Sequence, residues 1–293
     1  MAERQTDRRT NVRAPRGFPL KSCVRTMSRV APRTTARAAA RLFCYPHGKR
    51  RQDPRENDWL RLGDRFTLEA GGRKLAAWSW GDGPTILLHH GWNGRAAQLG
   101  AFVQPLVEMG FGVVAYDAPA HGASPGRLTN GIDMARTLVD ASRRLGGLHA
   151  IVGHSLGCLV TAYAMRRGLP VERLVFVSPP ADMITYTRVF ADTVGLDDRT
   201  HREMLAWFER DLDLDWNDFN AERLAEYDRA ARGRQTPLLV VHDRHDRSAP
   251  WDHGERYHRA WDGSQFLLTE RLGHRRILAD EDVLDRVAGF VKD

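Results

Sequence analysis

A chain of 293 residues, 42% hydrophobic and 28% charged, is long enough to bury a full core and has the composition of a globular protein rather than a disordered one. No apolar run approaches the roughly 18 residues of a membrane-spanning helix, which argues against integral insertion. The three cysteines, Cys23, Cys44 and Cys158, are irregularly spaced and never in metal-ligand spacing, so a reducing, cytoplasmic compartment without a disulfide framework is expected.

The net charge of +7 is unevenly spread. Residues 1–58 hold 15 Lys/Arg against 5 Asp/Glu, whereas the rest of the chain holds 29 against 32. Arg25, Arg29, Arg33, Arg37 and Arg41 recur every four residues, which on a helix gathers them along one broad face. The apolar positions between them are mostly alanine and Pro32 interrupts the run, so a weak contact with an anionic membrane surface is one reading of this basic extension. The other is a solvated segment, partly helical or disordered. Arg8-Arg9 lacks the following apolar stretch that an export signal requires, and the arginine-rich, acid-poor start also has the composition of an organelle transit peptide. Met27 offers an alternative start.

From about residue 64 onward strands and helices alternate. Arg65–Leu68 and Lys74–Trp80, separated by Gly71-Gly72, predict an antiparallel hairpin. Thr85–His89 is a short strand leading into the loop His90-Gly91-Trp92-Asn93-Gly94. Leu99, Phe102, Val103 and Leu106 follow at helical spacing, with Pro105 expected to bend or break that helix. Gly112–Tyr116 predicts the next strand, ending at Asp117 in a loop that continues through His121-Gly122 and Ser124. A helix marked by Ile132, Ala135, Leu138 and Val139 closes at Gly146-Gly147. Leu148–Val152 is a strand, and Gly153-His154-Ser155-Leu156-Gly157 turns it into a helix that stops near Gly168 and Pro170. Leu174–Val177 is another buried strand. Residues 181–236 lack strand-like runs and carry helical spacing, predicting an inserted helical cap. Strands at Pro237–His242 and Gln265–Thr269 and a last helix from about Glu281 to Val291 complete the pattern. Such alternation implies a mostly parallel sheet covered on both faces, with ligands at the carboxyl ends of its strands.

Four of the loops just named follow predicted strands and therefore share one edge of the sheet. In the tight turn at Ser155 the flanking glycines leave room for a sharp reversal that exposes the hydroxyl and sets the Leu156 N–H at the positive end of a helix. A serine hydroxyl is a poor nucleophile near neutral pH, so it needs an imidazole base and an acceptor that orients the imidazole. His274, after the last strand and beside Gly273, is the candidate base. Asp246 is the preferred acid because it lies further beyond its strand than Asp243, with Asp243 and Asp182 as alternatives. A negatively charged intermediate needs backbone donors, which the N–H groups of Trp92 and Leu156 are placed to supply. His90 and Trp92, with Tyr186, Phe190 and Trp207 from the cap, are the candidate pocket residues; Phe208, Trp216 and Phe219 add aromatic surface that can equally pack the cap. The His242/Asp243/His245/Asp246 cluster is read as loop structure rather than a metal site, because its alternating residues do not converge. His89 and His154 are read as structural hydrogen-bonding groups.

These motifs, His90-Gly91-Trp92, Asp117 with His121-Gly122-x-Ser124, Gly153-x-Ser155-x-Gly157, Asp246 before Pro250, and Gly273-His274, resemble those of the α/β-hydrolase superfamily from about residue 58 to the end. The resemblance implies an α/β fold with a mostly parallel eight-stranded sheet flanked by helices, divided into a core of residues 59–180 and 237–293, a helical cap at 181–236, and an extension at 1–58 that the superfamily does not require. It further implies a Ser155–Asp246–His274 triad acting through an acyl-enzyme on a small-molecule ester or thioester, without a cofactor. Relatives that dehalogenate alkyl halides or open epoxides carry aspartate at the position of Ser155. Carbon–carbon, amide or peroxide chemistry with the same triad remains the enzymatic alternative, and a non-catalytic protein acting through its basic tail the other. No nucleic-acid motif is present.

Overall fold

The alternating apolar runs assemble into one eight-stranded sheet in the order β1-β2-β4-β3-β5-β6-β7-β8. Its strands are β1 (Asp64–Ala70), β2 (Arg73–Trp80), β3 (Thr85–His89), β4 (Gly112–Tyr116), β5 (Leu148–His154), β6 (Val171–Val177), β7 (Leu238–Asp243) and β8 (Gln265–Thr269). Only β2 runs against its neighbours; every pairing from β4 through β8 is parallel. The computed structural model describes residues 18–47 and 54–293, so Arg8-Arg9 lies outside the described residues.

Twelve helices are described: α1 (Phe18–Val30), α2 (Pro32–Phe43), α3 (Pro54–Arg61), α4 (Val103–Glu108), α5 (Gly131–Arg144), α6 (Leu156–Arg166), α7 (Ile184–Val194), α8 (Asp198–Leu212), α9 (Ala221–Arg232), α10 (Asp252–Ala260), α11 (Gly273–Arg276) and α12 (Glu281–Lys292). Side chains that alternate along the strands fill two separate cores. Leu87, Ile151, Leu238 and Val240 face α5 and α6, where Leu138, Leu159 and Tyr163 meet them. Ile86, Leu88, Val152, Leu239 and Val241 face the opposite layer, with Leu99, Phe102, Leu106, Val283 and Val287. Pro105 falls in the first turn of α4, where its missing N–H does no damage, and the residues before it, Ala96–Phe102, form a 3-10 helix instead of extending α4.

The helical insertion between β6 and β7 comprises α7, α8, a 3-10 turn at Trp216–Phe219, and α9. Two devices fasten it. On the core side, the Arg256 guanidinium on α10 reaches Glu222 at 2.8 and 2.9 Å and Asp182 at 3.1 Å. On the other side, α2 of the basic extension packs on the insertion. Ala36, Ala39 and Ala40 of α2 are buried with Ala191, Met204, Phe208 and Trp216. Small side chains let the two helices approach closely, and Arg33, Arg37 and Arg41 are left on the exposed side of α2. Among the described residues no helix is long and apolar enough to cross a membrane.

Candidate active site

Ser155 sits between β5 and α6 with φ 53° and ψ −127°, a backbone state that a side chain other than glycine rarely adopts and that costs about 1–3 kcal/mol. The surroundings hold it there. The Ser155 N–H donates to Val177 O at 2.9 Å, and Ser155 O accepts from the Cys158 N–H at 2.9 Å. A Cβ at Gly157 would stand 2.4 Å from His89 O, and one at Gly153 would stand 3.1 Å from the Cys158 backbone, so both flanking positions need glycine for close approach.

The loop after β3 passes directly over this turn. A Cβ at Gly91 would lie 2.8 Å from Ser155 Cβ, 2.9 Å from His154 O and 3.3 Å from Leu156 N. The N–H groups of Trp92 and Leu156 donate to no acceptor among the described residues. They are orphan donors beside the serine, one of them at the N-terminus of an 11-residue helix.

A buried polar frame fixes that loop. His90 Nε2 accepts from the Ala118 N–H at 2.9 Å while its Nδ1–H donates to Gly91 O at 2.8 Å. His121 Nε2 accepts from the Asn93 N–H at 3.2 Å while its Nδ1–H donates to Pro119 O at 2.9 Å. Asp117 accepts from the N–H groups of Ala96 and Ala123, each at 2.7 Å. Burial pushes the His90 imidazole down to about 4 and that of His121 to about 3, keeping both neutral as these acceptor roles require. His90 is fully buried with both ring nitrogens engaged. It braces the loop from beneath, which corrects its assignment to the pocket wall.

Asp246 and His274 meet across the loops after β7 and β8. His274 Nδ1–H donates to Asp246 Oδ2 at 2.7 Å, and the second carboxylate oxygen accepts from the N–H groups of Ser248 and Ala249 at 2.8 and 3.0 Å. Burial works to raise the Asp246 pKa, but the hydrogen bond and charge of His274 and the two backbone donors outweigh it, and the net direction is down. The alternatives are engaged elsewhere. Asp243 accepts from the N–H groups of His245 and Leu272 and from the Thr269 hydroxyl, tying the two loops together. Asp182 caps Thr185 and holds Arg256.

His274 is brought to the serine turn through the residue before the serine. The His154 and His274 rings lie with centroids 4.7 Å apart. The Ser155 hydroxyl itself makes no hydrogen bond among the described residues. An unliganded site commonly leaves this contact open until substrate arrives.

Two other pocket candidates also require correction. Phe190 packs edge-on against Phe43 of α2, at 5.1 Å between centroids, and Trp207 against Phe208 at 5.2 Å. Trp207 lines a cavity of about 1120 Å³ bounded by α2, the start of α5 and α8, whose lining includes none of Ser155, Asp246 and His274. These rings form the seam between the insertion and the extension. Tyr186 is placed nearer the acid loop, its hydroxyl 3.5 Å from Ser248 O. Trp92 is half-buried, edge-on to His121 at 5.2 Å.

Sequence reasoning missed one support. His242 lies under the acid, Nε2–H donating to Ala249 O at 3.0 Å and standing 3.7 Å from Asp246 Oδ2. Gly254 leaves room for its ring, since a Cβ there would lie 2.6 Å from His242 Nδ1, a closeness visible only in the folded chain.

Fold and sequence together place the molecule. The chain belongs to the alpha/beta hydrolase family, whose model matches residues 86–289. It is 32% identical over 108 residues to the non-heme haloperoxidase of Rhodococcus erythropolis, a match covering 35% of this chain and 39% of that protein. Among solved structures it is similar to a membrane phospholipase A, with a TM-score of 0.61 at 15% identity over 94% of this chain and 96% of that one. It is likewise similar to the meta-cleavage product hydrolase of Pseudomonas fluorescens, with a TM-score of 0.56 at 18% identity over 79% of this chain and 98% of that one. At such identities the structural likeness is one of fold.

Proposed function

We propose that the protein is a serine hydrolase of carboxylic esters or thioesters working through an acyl-enzyme on Ser155. The observation that carries this reading is the 2.7 Å bond between Asp246 and His274 beside a strained serine turn. That bond places the His274 proton on Nδ1 and leaves Nε2 as the proton acceptor. Ser155 Oγ attacks the acyl carbon as Nε2 takes its proton, and Asp246 stabilises the imidazolium. The oxygen that becomes negative draws on the N–H groups of Trp92 and Leu156, each such donor being worth about 3–4 kcal/mol in the transition state. His274 then protonates the departing alcohol or thiol. Water, deprotonated by His274, releases the acid. Tyr186 and Trp92 are the pocket residues retained from the sequence, and no cofactor enters any step.

A panel of p-nitrophenyl esters of increasing chain length, run on the wild type and Ser155→Ala, tests the reading. Turnover by the wild type that disappears in the variant supports it, and equal turnover in both refutes it. The local identity to a haloperoxidase favours one second reading, in which hydrogen peroxide takes the place of water in releasing the acyl group as a peracid. Peroxide-dependent bromination of monochlorodimedone in the presence of acetate separates the two.

A further inference from the structure

Ser155 and His274 lie on different loops and share no side-chain hydrogen bond, yet their spacing must be right to within about half an ångström for proton transfer. Their spacing is set by something other than themselves. The residue preceding the serine supplies the link: His154 Nε2 donates to the backbone carbonyl of His274 at 2.9 Å, and the two rings pack at 4.7 Å. The route from nucleophile to base is therefore one peptide bond and one hydrogen bond long.

Ile277 and Leu278 anchor the chain beyond α11 in the core, and the hydrogen bond from His154 ties the base loop itself to β5. Its other ties run sideways to the acid loop, through the Leu272 N–H to Asp243 at 3.0 Å and the Arg271 N–H to His245 at 3.3 Å. Two successive bends, at Arg271 and Gly273 with φ 66° each, precede the four-residue helix α11 that carries His274. The Asp246 bond does not by itself fix this loop relative to the serine, because both of its partners ride on the β7 and β8 loops. His154 is 5% exposed at the rigid end of a central strand, with β3 on one side and β6 on the other.

We propose that His154 is a positioning residue: it fixes the distance between Ser155 and His274 by donating to the His274 carbonyl and by packing against its ring. This rests on the triad reading above. It asks first for an Nε2–H at this position, the aromatic face being secondary. Phenylalanine keeps the face and loses the N–H, whereas glutamine brings an amide N–H to about where the imidazole Nε2 stands.

The test compares wild type, His154→Phe and His154→Gln in three readouts, with thermal unfolding used to confirm that each variant is folded. The first is p-nitrophenyl butyrate hydrolysis, the second the rate of Ser155 labelling by a fluorophosphonate, and the third the nuclear magnetic resonance signal of the His274 Nδ1–H. The expected result for His154→Phe is a kcat lower by about 10–100-fold with KM within about twofold, as for lost supporting hydrogen bonds around other reactive imidazoles. Labelling should slow in parallel and the Nδ1–H signal should broaden. His154→Gln should recover most of the lost rate and a sharp signal. A folded His154→Phe with wild-type kcat and an unchanged signal overturns the inference, as does equal loss in the Phe and Gln variants. Absence of turnover and labelling in the wild type would instead sink the triad reading, and the Nδ1–H signals of the variants would still decide whether His154 holds the base loop.

Discussion

Gly91 crosses Ser155 so closely that a single methyl group at Gly91 would stand 2.8 Å from the serine Cβ. The loop after β3 and the turn after β5 are thus fitted to each other through the absence of a side chain, and the Trp92 and Leu156 donors are positioned by that fit. Gly91→Ala must push the loop outward or twist the serine. The expected outcome is a kcat lower by at least about 100-fold, the loss that a displacement near 1 Å causes. Overpacking should lower stability by about 1–3 kcal/mol. Steady-state kinetics and a denaturant melt check both; wild-type kcat in the variant contradicts the fit.

The two aspartates of the β7 loop have separable jobs. Asp246→Asn keeps the size of the side chain but removes the charge and reverses the tautomer preference of His274, so kcat should fall by about 10⁴-fold with the fold intact. Asp243→Asn instead weakens a bracket of three hydrogen bonds. It should show in the melting temperature before it shows in chemistry. Measuring kcat and Tm for both variants decides, and the reverse pattern would move the acid role to Asp243.

Sequence periodicity located the loops of the candidate site because those loops hang from strands whose patterns are unambiguous. Thr85–His89, Gly112–Tyr116 and Gln265–Thr269 read in the sequence with the same bounds as in the structure. What did not read was which surface an amphipathic helix faces. The apolar sides of α7 and α8 suit a substrate pocket or a neighbouring helix equally, and only the folded chain places Phe190 against Phe43. The alanine face of α2 was equally mute, because small residues signal close packing only once a partner is in view. His90 read as a wall residue because its sequence position marks the loop but not the direction of its ring, which points inward to Ala118.

Acid should loosen the fold by a specific route. Burial holds His89, His121 and His154 at about 3 and His90 at about 4, below the ordinary 6.5 at which each takes a proton when unfolded. The unfolded chain then binds more protons than the native one, so stability is fully present above that ordinary value and drains away as the pH falls from about 6.5 toward about 3. Asp246, whose pKa is lowered, adds a further loss only as the pH drops below the usual carboxylate range. Calorimetric Tm values should decline steadily between about pH 7 and pH 5. A flat profile across that interval would show that these imidazoles are not held neutral.

Helix α2 shares a buried seam with the helical insertion. Ala40 is fully buried in the α2–α8 seam. Ala40→Leu should lower stability by about 1–3 kcal/mol through overpacking, whereas Arg37→Gln on the exposed face should change it by less than about 0.5 kcal/mol. Equal stability of Ala40→Leu and wild type in urea melts would mean that the seam is not packed.

The proposed chemistry stands or falls with the reactivity of Ser155. Incubation with a fluorophosphonate, followed by peptide mapping in a mass spectrometer, reads it directly. One adduct, on the peptide holding Ser155, formed quickly by the wild type and slowly by His274→Ala, is the result expected. Modification elsewhere with Ser155 untouched, or none at all in a protein that still turns over esters, would contradict it.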